Sequence, residues 1–555
     1  MNLLGKAQDK EFWAEVRKKE CYESVLRRLK REYGKLVEEG PLKSHKYSEF
    51  KLFWTTGERK TYEKSHTKFR QRMEGAAILA LIYPENQEYL DDLMDTIYAV
   101  CDEYTWCWPA HQGSLEINNN CHIDLVASMT ASQLAEIYTL LYDRLDPLIK
   151  NRIVAEINRR VIEPFLATEY YDWWEKNDSN WSAVCIGGVA RAMMLIRPEG
   201  MTPDFIARVR ESLDSYLSGF DAKGMCLEGI GYWRYGFGHF VMCTEMLRRF
   251  TKGEIDYFKL DKVRYIASSY QKCFLSGEIG LSFSDGGGPM RYPVYLLHFL
   301  KNEYPDDVLV YDSIYSSWDC LSFRSYSWYD ADVANSPAPD DVSFEFYTDD
   351  AEWFIKRTAA YGFAGKGGHN GEHHNHNDVG SFIFAKQGRH VFTDPGGGLY
   401  SRQYFGEERY TYLEASSKGH SVPIVDGTYQ SAGKSFAASD ASYENGVFSI
   451  DIAGAYECEG LYSIKRSFSF TDDRVTLTDT FDCEDGKKLV QRIVTRFAPE
   501  KISDGNIKVD CGGVLYNPDV CVAEISSEND SRGNPLYIID FVLGNGVKSS
   551  TVTLY

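Results

Sequence analysis

The chain is predicted to be an α+β multidomain protein, an N-terminal (α/α) toroid or helical array followed by a C-terminal antiparallel β-sandwich. Three observations lead there. Helical periodicity runs from about residue 8 to 305, and β-type alternation takes over after about 345. A proline-bearing acidic stretch, "ANSPAPDDVSFEFY", lies between them. The 555 residues also exceed what one ordinary core organises. We therefore expect a toroid over residues 1–310, a linker over 311–345 and a sandwich over 346–555.

The helical part opens with "EFWAEVRKKECYESVLRRLKREYGKLVEEG", periodic and closed by Gly40. "GAAILALIYPENQEYLDDLMDTIYAVCDEY" holds two apolar helical runs split by "YPEN". Further helices are expected in "IDLVASMTASQLAEIYTLLYDRL", "IKNRIVAEINRRVIEPFL", "WSAVCIGGVARAMMLI", "PDFIARVRESLDSYLSGF", "FGHFVMCTEMLRRF" and "KVRYIASSYQKCFL". No fixed repeat names a solenoid. Strands are expected in "AEWFIKRTA", "GSFIFAKQGRHVFTD", "GVFSIDIAGAY", "YSIKRSFSFTDDRVTLTDTF", "KLVQRIVTRF" and "PLYIIDFVL", with Gly and Asp turns between them.

A formal charge of −20 makes nucleic acid and anionic membranes poor partners, and an anionic substrate would need local positive charge. Aromatic residues make up 14% of the chain, enough to furnish a cleft that stacks sugar faces as well as large cores. No apolar run reaches membrane-spanning length, and "MNLLGKAQDKEFWAEVRKKE" turns charged too early for a secretory signal. The 13 cysteines are odd in number and contain no C-x-x-C pair, so they read as reduced thiols of a cytoplasmic protein.

Four segments concentrate polar groups. "HHNHNDVGSF" at 373–382 packs three histidines and an aspartate before an apolar strand. On a strand, His374, His376 and Asp378 would share a face. His376, Asp394 in "FTDPGGG" and His420 in "SSKGHSVPIVDG" fall on successive β segments, and two imidazoles with a carboxylate suit zinc, or manganese. A hydrogen-bonded loop cluster would use the same residues. In "NDSNWSAVCIGGVARAMM", Asn180 and Trp181 stand at a helix start, where an asparagine cap is the plain reading. "CLEGIGYWRYGFGHF" gathers Glu228, Tyr232, Arg234 and Tyr235, which suit a sugar acid or simple helix packing. "CWPAHQGSLEINNNCHIDL" is a long polar connection carrying His111 and Gln112.

Together these segments resemble the heparinase II/III-like superfamily of polysaccharide lyases, most sharply in "HNHNDVGSFIFAKQGRHVFTDPGGGLY", then in "NDSNWSAVC" and "EGIGYWRYG". The resemblance implies a toroid joined to an antiparallel β domain. It casts His374 and Tyr232 as catalytic, and Asn180 as the group that holds the substrate carboxylate. Arg234, Tyr235 and Trp181 would line the sugar site, with Gln112 and Tyr410 in "EERYTY" as weaker matches. His376, Asp394 and His420 become ligands of one divalent, mainly structural metal. Several members carry a histidine where Trp181 stands, so the proton transfers would fall to His374 and Tyr232.

The implied reaction is β-elimination at a 4-O-linked uronic acid, in glycosaminoglycans such as heparan, chondroitin or hyaluronan, or in alginate. A base removes the C5 proton, an acid protonates the departing C4 oxygen, and donors stabilise charge on the carboxylate. The expected partner is an acidic oligo- or polysaccharide. An (α/α)-toroid glycoside hydrolase using Glu228 and an aspartate, or an inactive sugar-binding relative, remain the alternatives.

Overall fold

Side-chain caps start the helices where the sequence changes character. The Asp124 carboxylate accepts the Val126 and Ala127 amides to open helix Leu125–Leu140. Ser179 accepts from Trp181 to open Asn180–Ile196, and Thr202 opens Pro203–Ser218 with Pro203 at its first position. The computed structural model describes residues 2–115, 119–287, 289–311 and 315–555.

The helices differ in how many of their sides are buried. Glu23–Glu38 buries one stripe (Val25, Leu26, Leu29, Tyr33) and keeps its charges outside. Leu125–Leu140 and Asn180–Ile196 are buried on nearly every side and pack on each other. Their close approach depends on Gly188, where a Cβ would stand 2.4 Å from the Ser128 carbonyl oxygen. Two π-turns interrupt the array, at Asn158–Ile162 and at Trp233–Phe237. Among the described residues no helix is long and apolar enough to cross a membrane. All thirteen cysteines are free thiols.

Part of the stretch expected as a linker packs against the helical domain. Helix Arg324–Ser327 is buried, and Arg324 donates to Glu136 at 2.6 and 3.2 Å, sharing that carboxylate with Arg191. A buried guanidinium needs such a partner, so this segment is held to the toroid and does not span freely. Residues 312–314 lie outside the described residues.

The β part is antiparallel throughout, with sheets of eight and four strands and a five-stranded sheet ordered Arg389–Phe392, Phe382–Lys386, Gly362–Lys366, Trp353–Arg357, Phe344–Thr348. Strand alternation divides that last sheet between two cores. Trp353, Ile355, Ala364, Ile383 and Ala385 join the helical core, while Phe354, Phe363, Phe382 and Phe384 join the sandwich core. Burial on both faces explains the unbroken apolar runs "WFI" and "FIFA". This sheet welds the two domains together.

Candidate active site at the domain junction

The junction encloses a cleft of about 1160 Å³ walled by both domains. Asn180 and Trp181 reach it from a helix start, Tyr232 and Tyr235 from the π-turn region, and His374 from the β domain. A π-turn adds a residue to a helical turn and so re-aims its side chains, a device common at functional sites.

The histidine segment is a turn and not the expected strand; strand structure resumes at Phe382–Lys386. His374 itself has φ 54°, left-handed and unfavourable for a residue with a Cβ. The cause is its partners. His374 Nδ1 stands 2.7 Å from Asp285 Oδ2, and its ring stacks on Tyr232 with centroids 4.4 Å apart. Tyr400 donates to Asp285 Oδ2 at 2.8 Å, and its oxygen lies 2.6 Å from the Tyr232 hydroxyl. The other carboxylate oxygen, Oδ1, takes Tyr404 at 2.8 Å and His376 Nε2 at 3.2 Å, with Arg409 at 3.6 Å. Burial acts to raise the Asp285 carboxyl, but the hydrogen bonds of His374 and His376 outweigh it and hold it well below the usual carboxylate range. Burial, then the Asp285 charge, push the Tyr232 phenol far above its ordinary value, so it stays protonated.

Opposite this cluster, Asn180 does not cap its helix; Ser179 does. The Asn180 amide donates to both oxygens of Glu228, at 3.1 and 3.3 Å, and its backbone N–H adds a third bond at 3.1 Å. Burial raises the Glu228 carboxyl above its ordinary value, partly offset by His374 and the Asn180 amide. Trp181 lies between Trp173 and His111, at ring distances of 5.0 and 4.8 Å, and all three face the cleft. His111 Nδ1 is held by buried Asp124 at 2.6 Å.

A second cluster lies beside the first. His376, Asp394 and His420 gather with Asp378, one ligand atom of each within 4.8 Å of the others, all buried. The outward nitrogen of each imidazole is occupied: His376 Nε2 by Asp285, and His420 Nε2 by the Glu414 carbonyl at 2.7 Å. That leaves His376 Nδ1, His420 Nδ1, Asp378 Oδ2 and Asp394 Oδ2 buried without a hydrogen-bond partner. His420 Nδ1 and Asp394 Oδ2 stand 3.1 Å apart but are not aligned as a hydrogen bond. Four orphaned donor atoms of these types at one point fit a metal ion. Arg466, fully buried against Asp479 at 2.7 Å, donates to the carbonyls of Gly380 and Ser421, bracing the loops that carry Asp378 and His420.

The structure does not bring every expected residue to the cleft. Tyr235 lines it, but Arg234 lines an adjoining chamber of about 560 Å³ that shares Tyr235 as a wall, because the π-turn sends the two side chains apart. Gln112 faces a separate pocket with Tyr104 and Leu115, while its neighbour His111 faces the cleft. Tyr410 donates to the Asn375 side chain at 3.0 Å and supports the histidine turn from outside the cleft. Sequence reasoning missed Asp285, Tyr400, Tyr404 and Arg409. The signal for Asp285 was present in "FSDGGGP": an acid on a glycine turn like that of "TDPGGG". The two turns pack together, with Gly397 N–H bonding the Gly286 carbonyl at 3.1 Å. A Cβ on Gly396 (φ 69°) would stand 2.3 Å from that same oxygen.

A helical toroid welded to an antiparallel sandwich, with a histidine–tyrosine cluster and a metal-fit cluster at the seam, defines a two-domain protein of the toroid-plus-sandwich fold class. Residues 349–512 match the family model described as heparinase II/III-like, C-terminal. Three solved structures share the fold. Heparinase III aligns at TM-score 0.60 and 12% identity, over 89% of this chain and 77% of that one. A heparan sulfate lyase HepC mutant from Pedobacter heparinus aligns at 0.58 and 14%, over 94% and 82%. Chondroitin AC lyase from Streptomyces coelicolor A3, in complex with chondroitin sulphate, aligns at 0.53 and 12%, over 98% and 82%. No curated protein matches the sequence.

Proposed function

We propose that this protein is a polysaccharide lyase that cleaves 4-O-linked uronic acid glycans by β-elimination, with glycosaminoglycans as the preferred class. The observation that carries the reading is the placement of His374 and Tyr232, stacked at 4.4 Å, in one cleft with the Asn180–Glu228 pair.

The chemistry follows from those atoms. His374 Nδ1 is committed to Asp285, so Nε2 is the nitrogen free to take the C5 proton. Tyr232, kept protonated by burial, is suited to protonate the departing C4 oxygen. Asn180, beside the Glu228 carboxyl that burial raises, would meet the uronate carboxylate as a donor, favouring the charge that develops there. Positioned acid–base groups contribute about 10²–10⁴-fold each, and one such donor about 10²–10³-fold.

The cleft supplies basic side chains although the chain is acidic overall. Arg59, Lys60, Arg402 and Arg409 line it, while Glu228 and Glu372 are raised by burial, Glu372 to about 7. Glu63, Glu74 and Asp319 line the cleft as well, so its charge is mixed, and the basic side chains are the groups an acidic glycan would meet as partners. Heparinase III, heparan sulfate lyase and chondroitin AC lyase, whose fold it shares, support glycosaminoglycan over alginate. Zinc suits His376, Asp378, Asp394 and His420, and when bound it would cross-link the loops that carry them.

The test is incubation with heparan sulfate, chondroitin sulfate, hyaluronan and alginate. Elimination gives products with a C4–C5 double bond, read by ultraviolet absorbance and mass spectrometry. Cleavage without that absorbance would indicate a hydrolase, and no cleavage a binding protein.

A further inference from the structure

We infer that Asp285 is a positioning residue shared by the catalytic histidine and the metal cluster, so that one carboxylate sets the tautomers of both His374 and His376. The proposal rests on the lyase reading only in calling His374 the base.

The geometry separates the two duties by oxygen atom. Oδ2 faces the reaction side, where it takes His374 Nδ1 at 2.7 Å and the Tyr400 hydroxyl at 2.8 Å. Oδ1 faces the metal side, where it takes His376 Nε2 at 3.2 Å and the Tyr404 hydroxyl at 2.8 Å. A carboxylate only accepts, so both imidazole nitrogens that touch it must carry the proton. His374 is then the Nδ1–H tautomer with a bare Nε2, the nitrogen a base needs. His376 is the Nε2–H tautomer with a bare Nδ1, the nitrogen a metal needs. The Asp285 side chain is fully buried, so water does not substitute for it.

The carboxylate comes from the toroid, whereas both histidines belong to the β domain. Asp285 lies 89 residues before His374 and 91 before His376. The turn that carries it is clasped by the Gly396–Gly397 turn that follows Asp394. Domain docking, metal ligation and the state of the base therefore meet at one side chain.

Asp285→Asn tests this, and two of its readouts, zinc affinity and histidine tautomer, require no substrate. An amide has one accepting oxygen, so its NH₂ must face either His374 or His376, and that ring must turn over its tautomer to accept. Facing His374, it places a proton on Nε2 and removes the base; facing His376, it places one on Nδ1 and removes a metal ligand. We expect the variant to lose either about 10²–10⁴-fold in kcat with KM within about twofold, or about 10–100-fold in zinc affinity by competition with a chelator. Nitrogen-15 spectra of histidine-labelled protein should show His374 as Nδ1–H in the wild type, and one of the two rings switched in the variant. Both rings keeping the wild-type tautomers, or zinc affinity and kcat both unchanged, would overturn the proposal. If the variant does not fold, the wild-type protein decides: His374 as the Nε2–H tautomer, with or without zinc, is incompatible with it. Absence of elimination products beside the expected spectra would remove the lyase reading and leave the tautomer control standing.

Discussion

Tyr232 and His374 stack face to face, 4.4 Å between centroids and 21° between planes, although 142 residues separate them in the chain. The stack crosses the domain boundary, so the proposed acid and base are held together by the same packing that joins the domains.

Tyr232→Phe keeps the ring and therefore the stack, while removing the hydroxyl that meets Tyr400 at 2.6 Å. We expect turnover to fall by about 10²–10⁴-fold, with a stability loss of only about 0.5–1.5 kcal/mol for the lost hydrogen bond. Initial rates by ultraviolet absorbance, beside thermal melting, check both. Near-normal turnover would pass the acid role to Tyr400.

Asn180→Ala and His374→Ala probe one substrate from two domains. Each should lower kcat more than it raises KM, and the double variant should cost less than the sum of the separate barrier increases. His374→Ala should also retain any bound metal, since His376 and not His374 is the proposed ligand. Full additivity, or metal loss in His374→Ala, would separate the two residues from a common step.

Glu228 sets a pH dependence. Its carboxyl is raised above 4.5 by burial, so the native state holds that proton more tightly than the unfolded chain does. The associated stability is fully present below 4.5 and is lost as pH rises through the raised native value. Ionised Glu228 would also repel the uronate carboxylate, so kcat/KM should fall over the same alkaline limb. In Glu228→Gln both slopes should flatten; an unchanged limb would assign it to another group.

Metal content gives a further check. Protein purified without added metal should contain one divalent ion per chain by elemental analysis, and stripping it with a chelator should lower Tm by mass action. His420→Ala should lower both metal content and Tm. A metal-free, stable and active protein would leave the four orphaned atoms needing another explanation.

The division of the chain into helices and then strands was legible in its periodicity, because both patterns report one buried face and require no knowledge of what covers it. The same holds for "HNHND" and "TDPGGG", where chemistry and turn residues crowd into a few positions. Local pattern stopped short at Arg324, whose linker-like surroundings hid its buried bond to Glu136, and at Arg234, which the π-turn sends into the adjoining chamber.

By itself, then, the sequence determined the two architectures, the residues that crowd at 374–420, and the need for positive charge around any acidic substrate. Tertiary structure alone decided that Asp285, on a glycine turn 89 residues before His374, would share its two oxygens between His374 and His376. The physical reason is range. Periodicity and turn chemistry act over a few residues, whereas a buried carboxylate finds its donors only when separate domains close over it and exclude water.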